Sequence, residues 1–236
     1  MTSLADRWDR WKRRRFGRYH IDDPRPVAEN APYTFQLPSE NELLALAPGD
    51  LAKLVFAGDP VGKTYGAERM WVTITDAAGP DLVGRLDNQP SELHQLRMGD
   101  RITFERHHII DLIWAEDRAV APPPSPPARQ YWDRCFVDRG VLSGEVPVYY
   151  LYREEPDPTD PDDQYPDSGW RIRGDYRGLS DEEFAAWEFD YIAIGKVLNA
   201  DDSWLHLIDA PVGSAFIRDD KSSAFVPCED EAQDDV

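Results

Sequence analysis

Several things are scarce in this chain, and each scarcity excludes a class of protein. Two cysteines in 236 residues, Cys135 and Cys228, are too few for a disulfide-stapled secreted scaffold. Neither lies in a CxxC pair or a Cys/His cluster, so they are expected to be reduced thiols in a cytoplasmic protein. No run of about 18 apolar residues occurs, and no membrane span is expected. The basic start of the sequence has no apolar stretch behind it, so no secretory signal is expected. The phosphate loop GxxxxGK[ST] is missing, as are GxGxxG, HExxH and GxSxG. Gly58–Thr64 ends in GKT but has no glycine-rich first half. Positive charge is also short: 26 Lys and Arg stand against 45 Asp and Glu, a formal net charge of −19. Such a chain repels phosphate backbones, which argues against general nucleic-acid binding. It suits a basic protein partner. Hydrophobic residues make up 41% of the sequence, with eight Trp, enough to build packed cores.

Basic residues gather at the beginning. Arg7, Arg10, Lys12, Arg13, Arg14, Arg15 and Arg18 face only Asp6 and Asp9 within residues 1–20. Leu4, Trp8, Trp11 and Tyr19 can share one stripe of a helix. Two readings stand: an arm for a membrane surface or nucleic acid, or a helix that docks on the chain's own acidic body. Pro24, Pro26 and Pro32 make residues 21–35 an extended connector.

Residues 36–118 read as a small α+β domain with a bent, mostly antiparallel sheet. Ser39 and Glu42 have capping-box spacing and open a helix. Strands follow on Ala52/Leu54/Phe56, Met70/Val72/Ile74 and Leu82/Gly84/Leu86. Pro90-Ser91-Glu92 predicts a second helix, and Gly99-Asp100 leads to a strand with Ile102 and Phe104. A unit of helix, Gly-Asp turn and strand would thus occur twice. His107 and His108, read as strand neighbours, face opposite sides and make a poor metal pair. Residues 119–128, AVAPPPSPPA, form a stiff proline-rich linker.

Residues 129–228 read as a second α+β domain, and residues 229–236 as an acidic, disordered tail. Strands are expected at Cys135–Val137, at Val146–Tyr152 with Val146, Val148, Tyr150 and Tyr152 on one face, and at 168–172. A helix capped by Ser180 carries Phe184, Trp187 and Tyr191, and 192–198 suits either helix or strand. Asp209–Gly213 turns into a last strand. From Glu145 to Asp190 there are fourteen acids and four bases. Acid-rich loops of this kind touch partners or are simply solvated. Tyr150, Tyr152, Tyr165 and Trp170 supply either rigid anchors beside the acids or core. Asp167 and Gly169 fit a backbone turn equally well. The spacing of Asp157, Asp160, Asp162 and Asp163 is not that of a calcium-binding hand.

Two resemblances add to this reading. Gly66–Val72 (GAERMWV), Gly84–Pro90 (GRLDNQP) and Gly99-Asp100 resemble a widespread bacterial domain family of unknown function over roughly residues 40–113. That likeness implies a fold and no chemistry. Tyr152–Pro156 (YREEP), Asp167–Arg171 (DSGWR), Gly174-Asp175 and Asp209–Phe216 (DAPVGSAF) resemble a bacterial immunity-protein family from polymorphic toxin systems, over roughly 134–218. This second resemblance implies a protein that neutralises a cognate toxin by binding it. With no pair of carboxylates singled out and no ligand cluster, no catalysis, cofactor or metal is expected. With the acid-rich loop beside these blocks, the expected contact residues are Tyr152, Arg153, Glu154, Glu155, Asp157, Asp167, Ser168 and Trp170. The rival functions are a two-domain scaffold and a metal-dependent hydrolase using Asp160 and Asp162. Nothing in the pattern fixes an oligomeric state.

Overall fold

The structure, a computed structural model, describes residues 4–62, 64–124, 128–158, 163–178, 180 and 187–228. The expected helix after Ser180 and the acidic tail 229–236 lie outside the described residues. Described strands outnumber helices, the helices are short, and the strands form two mostly antiparallel sheets, so the fold is α+β. The chain divides into two compact units, Met1–Asn30 with Phe35–Pro127, and Ala31–Thr34 with Ala128–Val236.

The first unit begins with α1 (Leu4–Phe16), β1 (Arg18–Ile21), α2 (Arg25–Asn30) and α3 (Glu40–Leu44). α2 falls in the segment expected to be an extended connector. Proline is tolerated in the first turn of a helix, so Pro24 and Pro26 start this one rather than forbid it. The capping box of α3 forms as spaced: Ser39 Oγ accepts the Glu42 N–H, and the Glu42 carboxylate accepts the Ser39 N–H at 2.8 Å. β2 (Leu51–Asp59), β3 (Ala67–Asp76), β4 (Asp81–Leu86) and β5 (Arg101–Glu105) then pair in order, antiparallel, with β1 and β6 (Asp111–Ile113) on the far side of β2. The alternation read from the sequence fills the core. Ala52 pairs with Val72 and Leu54 with Met70, and all four are buried with Phe56, Ile74, Leu82 and Leu86.

The short connection between β5 and β6 bears on the curvature of this sheet. In a flat sheet the far side of β2 lies four strand spacings from β5, about 19 Å. Only residues 106–110 join β5 to β6, and three of them form a tight 3-10 turn, Arg106–His108, at ~2 Å per residue. A link this short favours a curled sheet over a flat one. In that turn the His107 and His108 rings lie side by side, 4.1 Å apart, not on opposite faces of a strand.

The repeat survives in its turns but not in its helices. At Gly49-Asp50 and Gly99-Asp100 the glycine has positive φ, and the Asp carboxylate accepts the N–H three residues back (Ala47 at 2.8 Å, Arg97 at 2.9 Å). The second expected helix is a series of turns, because Glu68 of β3 supplies another acceptor. Its carboxylate takes the N–H groups of Ser91, Glu92 and Leu93 at 2.8, 2.8 and 2.6 Å. Glu68 therefore does not pair with Arg69, whose guanidinium lies over the Phe35 ring.

The second unit holds β7 (Arg134–Asp138), α4 (Arg139–Leu142), β8 (Val148–Arg153), β9 (Asp167–Gly174), β10 (Phe189–Ala193), α5 (Ile194–Ala200), β11 (Ala215–Arg218) and β12 (Phe225–Pro227). Its sheet order is β10-β7-β9-β8-β11-β12, with β7 and β9 parallel and the other neighbours antiparallel. Val197 and Leu198 of α5, with Trp204 and Ile208, pack with Cys135, Val137, Leu151, Trp170 and Ile172. The ambiguous run 192–198 is thus a strand end followed by a helix, and Tyr191 lies on a strand, not on a helical stripe. Ala31–Thr34 also belongs to this unit. Tyr33 donates its N–H to Asn199 Oδ1 at 3.0 Å and its hydroxyl to Asp202 at 2.7 Å.

Candidate functional site

The loop between β8 and β9 and the start of β9 carry seven carboxylates and no basic residue from 154 to 170. Its two ends and the turn at 209–214 are stitched together by Arg153. That side chain donates to the Ser168 and Ala210 carbonyls at 3.0 and 2.7 Å, while its backbone N–H donates to Ser214 O at 2.8 Å. Gly213 returns a bond to Arg153 O at 2.6 Å. Tyr152–Pro156, Asp167–Arg171 and Asp209–Phe216, far apart in sequence, therefore meet at one place. Arg153 makes no ion pair with Glu154 or Glu155, because these carbonyls occupy its donors.

Arg171 is the cation the loop is wrapped around. Its side chain is almost fully buried and binds Asp167 with both terminal nitrogens, at 3.0 and 2.8 Å. Nε reaches Glu154 at 2.5 Å, and Asp157 lies at 3.4 Å. Asp167, 1% exposed in its side chain, also accepts the N–H groups of Asp157 and Gly169 at 2.9 and 3.2 Å. Burial works against the Asp167 carboxylate, yet the bonds from Arg171, Asp157 and Gly169 hold its pKa below the usual range. Burial likewise works against the guanidinium, and Asp167 and Glu154 outweigh it and raise the Arg171 pKa. Three carboxylates meet one cation, so the cluster stays anionic, with Glu154, Glu155 and Asp157 on the outside. Gly169, at φ +80°, is required where it stands: a Cβ there would run into the Glu154 carbonyl oxygen.

The expected contact residues divide accordingly. Tyr152, Glu154, Glu155 and Asp157 reach the surface. Asp167, Ser168 and Trp170 are buried. Of its two readings, interface anchor or core, Trp170 takes the second. It packs edge-on against Trp204 at 5.6 Å and donates its indole N–H to Ile208 O at 3.3 Å. Ser168 spends its hydroxyl on the Arg134 carbonyl at 2.6 Å.

A β-bulge corrects the faces of β8. Val148 pairs with Gly174 but Tyr150 with Arg173, so Tyr149 is one residue too many. Alternation resets there: Val148 and Leu151 are buried, and Tyr150 and Tyr152 turn to the other face with Arg171 and Arg173. Aromatic residues that the sequence did not bring forward lie on that face. Phe136 of β7 sits under the Arg171 guanidinium at 4.7 Å and against Tyr191 and Phe189 of β10 at 4.8 and 5.7 Å. Phe189 and Tyr191 are 55% and 41% exposed. Burial, followed by the Asp167 and Asp163 carboxylates, raises the Tyr191 pKa, so the acids and the ring share one locality. Their common signal was a strand reading of 189–193, which pairs Tyr191 directly with Phe136.

Among the described residues no group of three His, Cys, Asp or Glu is placed to hold a metal, and Asp160 and Asp162 lie outside them. Cys135 is a free, buried thiol, and burial pushes its pKa up. Among the described residues no helix is long and apolar enough to cross a membrane.

Comparison with known families divides the chain where its folding does. Residues 135–229 match the family described as Immunity protein Imm33 domain, and residues 44–121 match a family described as an uncharacterized protein conserved in bacteria (DUF2314). No curated protein and no solved structure matches the chain.

Proposed function

We propose that this chain, which carries an Imm33 immunity protein domain behind a DUF2314 domain, neutralises a cognate bacterial toxin in the cytoplasm by binding it. The observation that carries this reading is the continuity of the anionic loop with an exposed aromatic row, joined through Arg171 over Phe136. Glu154, Glu155 and Asp157 are the charged contacts, and Tyr152, Tyr191 and Phe189 are the apolar ones. Arg153, Asp167, Ser168 and Trp170 act from beneath, as the frame that fixes the loop before the partner arrives. A loop held in place in advance loses less conformational entropy on association. The partner is a basic protein, since dense negative charge steers such a surface into encounter. The mode is occlusion, not catalysis, and uses no cofactor.

The test has two stages. A pull-down from the native cell with the tagged full chain identifies the toxin. The triple variant Glu154→Lys, Glu155→Lys, Asp157→Lys is then compared with the parent in stopped-flow association. At low salt the on-rate falls by at least tenfold, within the range of about 10–1,000-fold that steering supplies, and its salt dependence flattens. An on-rate that is unchanged across salt concentrations excludes this surface.

A further inference from the structure

α1 does not join the function above, and its geometry is that of a separate surface. Trp8 and Trp11 stack on it at 5.0 Å with a 15° interplanar angle, and Phe16 meets Trp11 edge-on at 6.0 Å. Trp8, Trp11 and Phe16 are all more than half exposed. Residues 11–18 hold Lys12, Arg13, Arg14, Arg15 and Arg18 and no acid. In so acidic a chain these cations would be expected to find carboxylates. Among the described residues none lies within ion-pair distance of Lys12, Arg14 or Arg15. Arg13 turns to the body of its unit and donates to the carbonyls of Pro60 and Val61 at 3.0 and 2.7 Å. At 100° per residue, Arg13 falls roughly 170° from the midpoint of Trp8 and Trp11. Arg15 falls within their stripe, and Lys12 and Arg14 flank it. The helix is thus held by its back, and it presents an indole stripe edged with Lys12, Arg14 and Arg15.

We propose that this face of α1 binds the surface of an anionic lipid bilayer. Exposed Trp beside Lys and Arg suits the headgroup boundary, where indole rings sit in the interface and cations meet anionic lipids. Single-stranded nucleic acid shares the charge but needs free ring faces for base stacking. Here one face of Trp8 is taken by Trp11, and Lys12 lies over the ring at 5.6 Å. A bilayer needs only the apolar area and the charge. The acidic remainder of the chain opposes approach to the membrane, which makes the association salt-sensitive and reversible.

The experiment is co-sedimentation of the full chain with vesicles of phosphatidylcholine containing 30% phosphatidylglycerol, and with pure phosphatidylcholine vesicles. The protein binds the anionic vesicles at low salt, is released as salt rises, and leaves the neutral vesicles bare. Arg14→Glu with Arg15→Glu weakens binding by at least tenfold, since each basic residue near such a surface contributes about 1 kcal/mol, roughly fivefold. Trp8→Ser with Trp11→Ser weakens it comparably, while the unfolding midpoint of both variants stays at that of the parent. No binding to the anionic vesicles, or equal binding to neutral ones, overturns the proposal. So does displacement of bound protein by an oligothymidine that it holds more tightly.

Discussion

Arg171→Met removes the cation at the centre of the loop and keeps a side chain of similar reach. Asp167 then retains the Asp157 and Gly169 N–H bonds but loses the one cation bonded to it among the described residues. Breaking a buried pair by deleting one partner costs about 3–5 kcal/mol. In a unit of this size 1 kcal/mol moves the midpoint by about 4–8 °C, so Tm falls by roughly 12 °C or more. Urea unfolding followed by tryptophan fluorescence measures the loss, and the buried Trp170–Trp204 pair is a reporter within the same unit. The pH dependence gives a second handle. In the parent, Asp167 has a depressed folded pKa, so its stabilisation is present above the ordinary carboxylate range. It is lost as pH falls through the folded value. In Arg171→Met, burial is no longer opposed by the guanidinium and the Asp167 pKa rises, so the acid-side loss shrinks or reverses. Adding Asp167→Asn removes the stranded charge and restores part of the stability. A single variant within about 1 kcal/mol of the parent, with an unchanged acid limb, would refute this account of the loop.

Two further substitutions probe the frame of each unit. Gly169→Ala places a Cβ against the Glu154 carbonyl at φ +80°, and destabilises the second unit by more than about 2 kcal/mol in the same urea assay. Glu68→Ala strips the acceptor from three backbone N–H groups at 91–93. It lowers the stability of the first unit by about 2–3 kcal/mol, with faster hydrogen exchange at those amides.

The alternating strands of the first unit were legible because each buries one face: Ala52, Leu54 and Phe56 point inward, and their neighbours do not. The capping box at Ser39 and both Gly-Asp turns were legible because their bonds are local. What failed was set by residues far away. Glu68 replaced a helix at 91–93 from another strand, and an extra residue at Tyr149 inverted the faces of β8. The acidic loop was visible as composition, but its arginine was not. Arg171 reads as an ordinary strand residue until β7 and β9 come side by side and place it over Phe136. β1 and β12 were missed because short edge strands such as RYHI and FVP carry too few residues to show a period.

The four residues Ala31–Thr34 have a consequence for anyone dividing this gene. The chain begins in the first unit, lends these four residues to the second, returns to complete the first, and only then builds the rest of the second. The chain passes between the units three times, after Asn30, after Thr34 and after Pro127, so a single cut in the proline-rich segment does not separate the modules cleanly. A fragment starting at residue 129 would leave Asn199 and Asp202 without Tyr33, and would bare the face of Gly195 that Thr34 now covers.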